Sequence, residues 1–285
     1  MIDRNKLALW LEIGDGKTAW HWNAAHNALA FATAKGVNRF SIVCNADEIA
    51  VELLGSMMQS CRTCFPKAQF TPYLKVAWTD GKPAPYTQWY GPGAASMYVW
   101  RRVAELMQRF AFLPSSWRRG VDCEMLRERW KASTATAWMT AWPKMQAEFA
   151  TWMDPTQPIT IYPGPHFDVK AKAWEIAFVE SHSLAVPTSY VMYKFAYPRY
   201  QTPEYDARYT AKGFGPHAAY EWLRTVRRTA PVWMIHCNPN NSKQWPIDQL
   251  RSVVENAQDM HRGTAMLNPS MSGLARLPDI LEVLG

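Results

Sequence analysis

Eight times along this chain a short apolar run is followed by a segment with helical spacing, and that rhythm constrains the fold more than any other feature. The apolar runs are "LALWLEIG" (7–14), "NRFSIVCN" (38–45), "FTPYLKVAWT" (70–79), "RRGVDCEML" (118–126), "PITIYPG" (158–164), "AVPTSYVMYKF" (185–195), "APVWMIHCN" (230–238) and "GTAMLNPS" (263–270). Between and after them lie helical segments at 19–36, 46–65, 93–110, 134–153, 168–181, 216–229, 245–259 and 274–284. Strands this continuously apolar are covered on both faces, which calls for a parallel sheet under a layer of helices. Eight units in 285 residues is about 36 residues each, close to what one β-α unit occupies in a (β/α)8 barrel. The expectation is therefore an α/β protein, one TIM barrel spanning residues 1–285, with rim-loop insertions after the third and sixth strands. "IGDGKT" lacks the G-x-G-x-x-G of a dinucleotide loop, and no cofactor is expected.

Composition sets the environment. With 48% apolar and 19% charged residues the chain can bury a large core. The opening "MIDRNKLALWLEIGDGK" has neither the apolar stretch nor the cleavage site of a secretory signal. No window reaches the roughly 18 apolar residues that cross a bilayer. A soluble protein made in the cytoplasm, with no membrane partner, is expected. The five cysteines read as free thiols, and the lone C-x-x-C of Cys61 and Cys64 lacks the second ligand pair of a zinc site. A net charge of +7 is spread over pairs such as Arg101-Arg102, Arg118-Arg119 and Arg227-Arg228. That pattern gives general attraction to anionic polymers, an acidic cell wall among them, but not a reader of nucleic-acid sequence. A signal-less basic protein of this kind would also fit a cell-wall lysin released through a separate pore. The oligomeric state is left open.

A barrel's site forms at the carboxyl ends of its strands. Here those ends carry Glu12, Trp78 and Asp80, Asp122 and Glu124, Tyr162 and His166, Tyr193, His236 and Asn268. Asp122 and Glu124 are two apart, so on a strand they share a face roughly 6–7 Å apart. Glu12 and this pair lie within apolar runs, where an unpaired charge is expensive. Two carboxylates held in different surroundings can be driven to different pKa values, one donating a proton and one staying ionised, as glycoside hydrolysis requires. The loop aromatics Trp78, Trp89, Tyr90, Tyr197, Tyr200, Tyr205 and Trp245 offer flat faces either for pyranose rings or for loop packing.

"GVDCE" on the fourth strand resembles the D-x-E signature of retaining glycosidases that act at N-acetylhexosamines, among them the chitinase, hyaluronidase and phage-type lysozyme families. The resemblance implies Glu124 as general acid/base and Asp122 as the group that orients the substrate's own acetamide. It also implies an acetamide contact for Tyr193 of "VMYKF" on the sixth strand. Chitinases carry a further Asp where this chain has Gly120, and an Asp where it has Lys194.

The function expected is hydrolysis of a polysaccharide or oligosaccharide, with Glu124, Asp122 and Glu12 as catalytic candidates. Tyr193, Trp78, Asp80, Trp89, Tyr162, His166, His236 and Asn268 are the substrate-binding candidates. The alternative is a barrel that binds glycan, or serves a larger assembly, without cutting. A third class, a metal-dependent hydrolase using His166 and His236, lacks the H-x-H that such barrels carry on the first strand. No metal is expected.

Overall fold

The computed structural model of the protein describes residues 1–13, 19–46, 48–79, 82–83, 105–122, 159–162, 188–210 and 231–285. The first apolar run forms β1 (Leu7–Glu12), the second β2 (Arg39–Ala46) and the third β3 (Gln69–Thr79), from which a short β4 (Lys82–Pro83) folds back antiparallel. Then come β5 (Arg119–Asp122), β6 (Ile159–Tyr162), β7 (Thr188–Met192), β8 (Val232–His236) and β9 (Thr264–Asn268). The fourth run of the sequence is thus β5. Helices α1 (Ala19–Ala34), α2 (Glu48–Cys64), α3 (Pro203–Thr210), α4 (Leu250–Asp259) and α5 (Leu277–Val283) accompany them. The helices expected at 134–153, 168–181 and 216–229 lie outside the described residues.

Apart from β4, every strand pairs in parallel with its neighbours, in the order β2-β1-β9-β8-β7-β6-β5-β3. β2 also pairs in parallel with β3, so the curled sheet returns on itself and the fold is α/β and barrel-like.

Period-two alternation sorts each strand between two cores. Leu7, Leu9 and Leu11 of β1, Phe40, Ile42 and Cys44 of β2, and Trp233 and Ile235 of β8 pack outward with apolar residues of the helices. Ala8 and Trp10, Val43, Tyr73, Val191, Met234 and Met266 meet in the interior. There Trp10 and Tyr73 pack edge to face at 4.7 Å, a geometry that aromatic quadrupoles favour. The Tyr73 hydroxyl is hydrogen-bonded by Thr160 and Ser41, and burial raises its pKa.

Local chemistry accounts for the boundaries. α1 ends where Gly36 takes φ +81°, a conformation that costs glycine little. Gly36 N–H donates to Thr33 O and Val37 N–H to Ala32 O, both at 2.9 Å, the paired bonds of a Schellman stop. At the entry to β5, Arg119 is 1% exposed. Its guanidinium donates to the carbonyls of Phe110 (2.8 Å) and Trp117 (3.0 Å), tying the preceding turn to the strand. Burial lowers its pKa to about 10, leaving it charged at neutral pH.

The cysteines described are free. Cys61 faces the core while Cys64 is exposed, and burial, then the neighbouring Cys64, push the Cys61 thiol up to about 11. A thiol so reluctant to ionise is a poor nucleophile at neutral pH.

Candidate functional site at the carboxyl mouth

The alternation that fills the interior with Trp10, Tyr73, Met234 and Met266 continues one step further and brings a polar set to the carboxyl mouth. Glu12 follows Ala8 and Trp10 in β1, Lys75 follows Tyr73 in β3, and Asp122 follows Gly120 in β5. His236 follows Met234, and Asn268 follows Met266. Register joins them: Lys75 is opposite Asp122, Asp122 opposite Tyr162, and His236 opposite Asn268. Asp122 is buried at 7% exposure.

Glu12 has a specific partner. The Lys75 ammonium, reaching across β2, forms an ion pair and hydrogen bond with Glu12 Oε1. Lys75 was absent from the sequence-derived set, although its parity in "FTPYLKVAWT" places it inward with Thr71 and Tyr73. Both side chains keep contact with solvent, at 24% and 39% exposure, and partly exposed pairs contribute little. Lys75→Met is expected to change unfolding free energy by no more than about 1 kcal/mol. A urea-denaturation cycle with Glu12→Gln measures the coupling, and a value several times larger would mean the pair holds the mouth together.

Gly120 explains one departure from the chitinase pattern. A Cβ at this position would lie 2.3 Å from the ring of Tyr73. The space that a carboxylate would fill is occupied by the tyrosine ring, so Gly120 is required by packing.

Beyond β7 the chain turns back over the mouth. Tyr193 is 3% exposed, Tyr200 2%. Tyr197 lies flat on His236 (4.4 Å between centroids, 13° between planes), and Tyr193 lies beyond at 6.3 Å from the imidazole. The Arg199 guanidinium covers Tyr197 at 4.7 Å and Tyr200 at 5.2 Å. Burial, then the Arg199 charge, lower the His236 pKa to about 4. The imidazole is therefore neutral at pH 7, and its Nε2 is buried with no hydrogen-bond partner among the described residues.

This imidazole makes stability depend on pH in a definite direction. Its folded pKa lies below the unfolded value of about 6.5, so between pH 6.5 and 4 the unfolded chain binds the proton and the folded chain does not. Stability due to this group is present above pH 6.5, falls as pH drops through that window by about 3 kcal/mol in all, and changes no further below it. His236→Phe keeps the ring and should flatten this part of the profile in urea titrations between pH 7 and 4. An unchanged slope would show that His236 is not the group responsible.

The remaining candidates divide. Asn268 is 6% exposed, and its Oδ1 accepts from Ser270 N–H at 2.9 Å. Beside it, buried Asn238 donates through Nδ2 to Ser270 Oγ (2.7 Å) and Ser272 Oγ (2.9 Å), so the two asparagines knit the loops after β8 and β9. Trp245, counted among the loop aromatics, is 7% exposed and donates from Nε1 to Phe195 O at 2.6 Å; it packs. Trp78 and Tyr162 lie at the ends of β3 and β6. Glu124, Asp80, Trp89 and His166 lie outside the described residues. Among the described residues no three His, Cys, Asp or Glu side chains group as metal ligands would, and no helix is long and apolar enough to cross a membrane.

No protein-family model matches the chain, and no curated protein does. Among solved structures it is similar to alpha-L-fucosidase isoenzyme 2 from Paenibacillus thiaminolyticus, at 10% identity and a TM-score of 0.54. That match covers 98% of this chain and 48% of the fucosidase, so the chain spans about half its length. It also matches an aldo-keto reductase from Klebsiella pneumoniae solved with NADPH, at 12% identity and a TM-score of 0.46, over 98% of this chain and 84% of that one. At 10% identity the fucosidase match establishes the fold alone.

Proposed function

We propose that this chain is a single (β/α)8-barrel glycoside hydrolase that cleaves an N-acetylhexosamine-containing polysaccharide of the chitin, peptidoglycan or hyaluronan type. Glu124 is its general acid/base and Asp122 its helper. The observation that carries this reading is the placement of Asp122, buried and inward-facing, at the carboxyl end of the fourth barrel strand. Glu124 has the parity of Asp122 in an extended chain. A carboxylate beside the acid disfavours its ionisation and keeps its proton available for the glycosidic oxygen. The ring of strand pairings supports the barrel, and the fucosidase is one protein in which a similar fold carries a glycosidase. Tyr197 stacked on His236, with Tyr193 beside them, forms an aromatic wall at the mouth next to which a sugar would bind.

A second reading, a barrel that holds glycan without cutting it, is favoured by one observation: Glu12 is ion-paired with Lys75, which ties up a described alternative for a second catalytic carboxylate. Release of reducing ends from peptidoglycan, chitin oligomers, hyaluronan and neutral glucans separates the two. Cleavage of an N-acetylhexosamine polymer supports the first reading. Binding with no cleavage of any substrate supports the second.

A further inference from the structure

The opposite mouth of the barrel holds a feature that hydrolysis does not use. At the amino ends of the strands a polar bowl of about 250 Å³ opens among the first residues of β2, β3, β8 and β9 and the turn before β5. Its floor is hydroxylic: Ser41 and Thr160, at 6% and 1% exposure, with the Tyr73 hydroxyl that both hydrogen-bond. Thr264 adds a further hydroxyl to the wall. Two arginines, Arg39 and Arg118, line the same bowl and interact electrostatically with each other, and Arg118 also with the Tyr73 hydroxyl. Among the described residues neither guanidinium meets a carboxylate. Arg118 and Arg119 are adjacent in sequence but differ in use: Arg119 is spent on backbone carbonyls, while Arg118 turns to the bowl.

Both arginines are exposed at the rim of the bowl, so water screens much of their repulsion, and an anion seated between them would remove what remains. Guanidinium forks with hydroxyl donors match the geometry of a tetrahedral oxyanion. We propose that this amino-terminal bowl is a binding site for a small phosphate-type oxyanion, held between Arg39 and Arg118 above the Ser41, Thr160 and Tyr73 hydroxyls. The bowl has room for a phosphate group and a small substituent but not for a polymer chain.

The test is calorimetric titration of the full chain with inorganic phosphate against sodium chloride at equal ionic strength. Wild type should bind one phosphate saturably. Arg39→Gln and Arg118→Gln should each weaken binding by about tenfold or more, and the double variant should abolish it. Thermal melts in chloride check that the variants are folded. Should either be unfolded, Arg39→Lys and Arg118→Lys keep the charge, lose the fork, and should bind phosphate measurably more weakly than wild type. Heat no greater than that of chloride, or phosphate binding unchanged in the folded double variant, overturns the proposal. Neither outcome depends on whether the carboxyl mouth cleaves glycan.

Discussion

Glu124→Gln should lower the rate of polysaccharide hydrolysis by about 10²–10⁴-fold, the range contributed by a positioned proton donor, while glycan binding persists. The amide keeps the size and polarity of the side chain and removes only the transferable proton, so a loss confined to kcat marks a group acting in the transition state. Asp122→Asn should reduce kcat by a smaller factor and move the alkaline limb of the pH profile to lower pH, because a neighbouring carboxylate raises the acid's pKa and a neutral amide does not. Reducing-end assays on wild type and both variants, with binding followed on the same polymer, decide the matter. Equal cleavage by wild type and Glu124→Gln would remove Glu124 from the mechanism. Absence of cleavage in all three, with binding intact, would move the protein to the non-catalytic reading.

Gly120→Ala should destabilise the fold by about 3 kcal/mol, at the upper end of what overpacking a filled core costs. The added methyl would lie 2.3 Å from the Tyr73 ring, and the ring has little freedom to retreat. Trp10 packs against it at 4.7 Å, and its hydroxyl is held by Thr160 and Ser41. Urea denaturation measures the loss. In a Tyr73→Ala background the same substitution should cost no more than about 1 kcal/mol, because the clashing ring is gone and contacting residues are not additive. A cost below about 0.5 kcal/mol in the wild-type background would show that the strand shifts to accommodate the methyl. The same packing means that Gly120→Asp, which would bring the chain closer to the chitinase signature, should disrupt the barrel-like fold and leave the proposed hydrolysis unimproved.

The parallel α/β architecture was legible from local sequence because strand and helix periods are local properties. "LALWLEIG" carries enough apolar residues to be covered on both faces, and the Lys35-Gly36 stop is decided by one residue that accepts a positive φ. The inward parity of Glu12, Asp122, His236 and Asn268 was legible for the same reason: side chains alternate along a strand whatever the strand pairs with. What a residue meets is not local. Glu12 reads as a costly buried charge until β3 brings Lys75 to it from 63 positions away. Gly120 reads as a gap in a motif until the Tyr73 ring is found against it. Trp245 has the composition of a sugar platform and the position of a core residue. Arg118 and Arg119 are alike in sequence, yet alternation sends one to backbone carbonyls and the other to a cavity with Arg39. Sequence alone determined which residues share a face, through the periods of strand and helix; only the curling of the sheet decided which faces meet, and so which charges are paired, which imidazole is neutral and which cavity is lined by arginine.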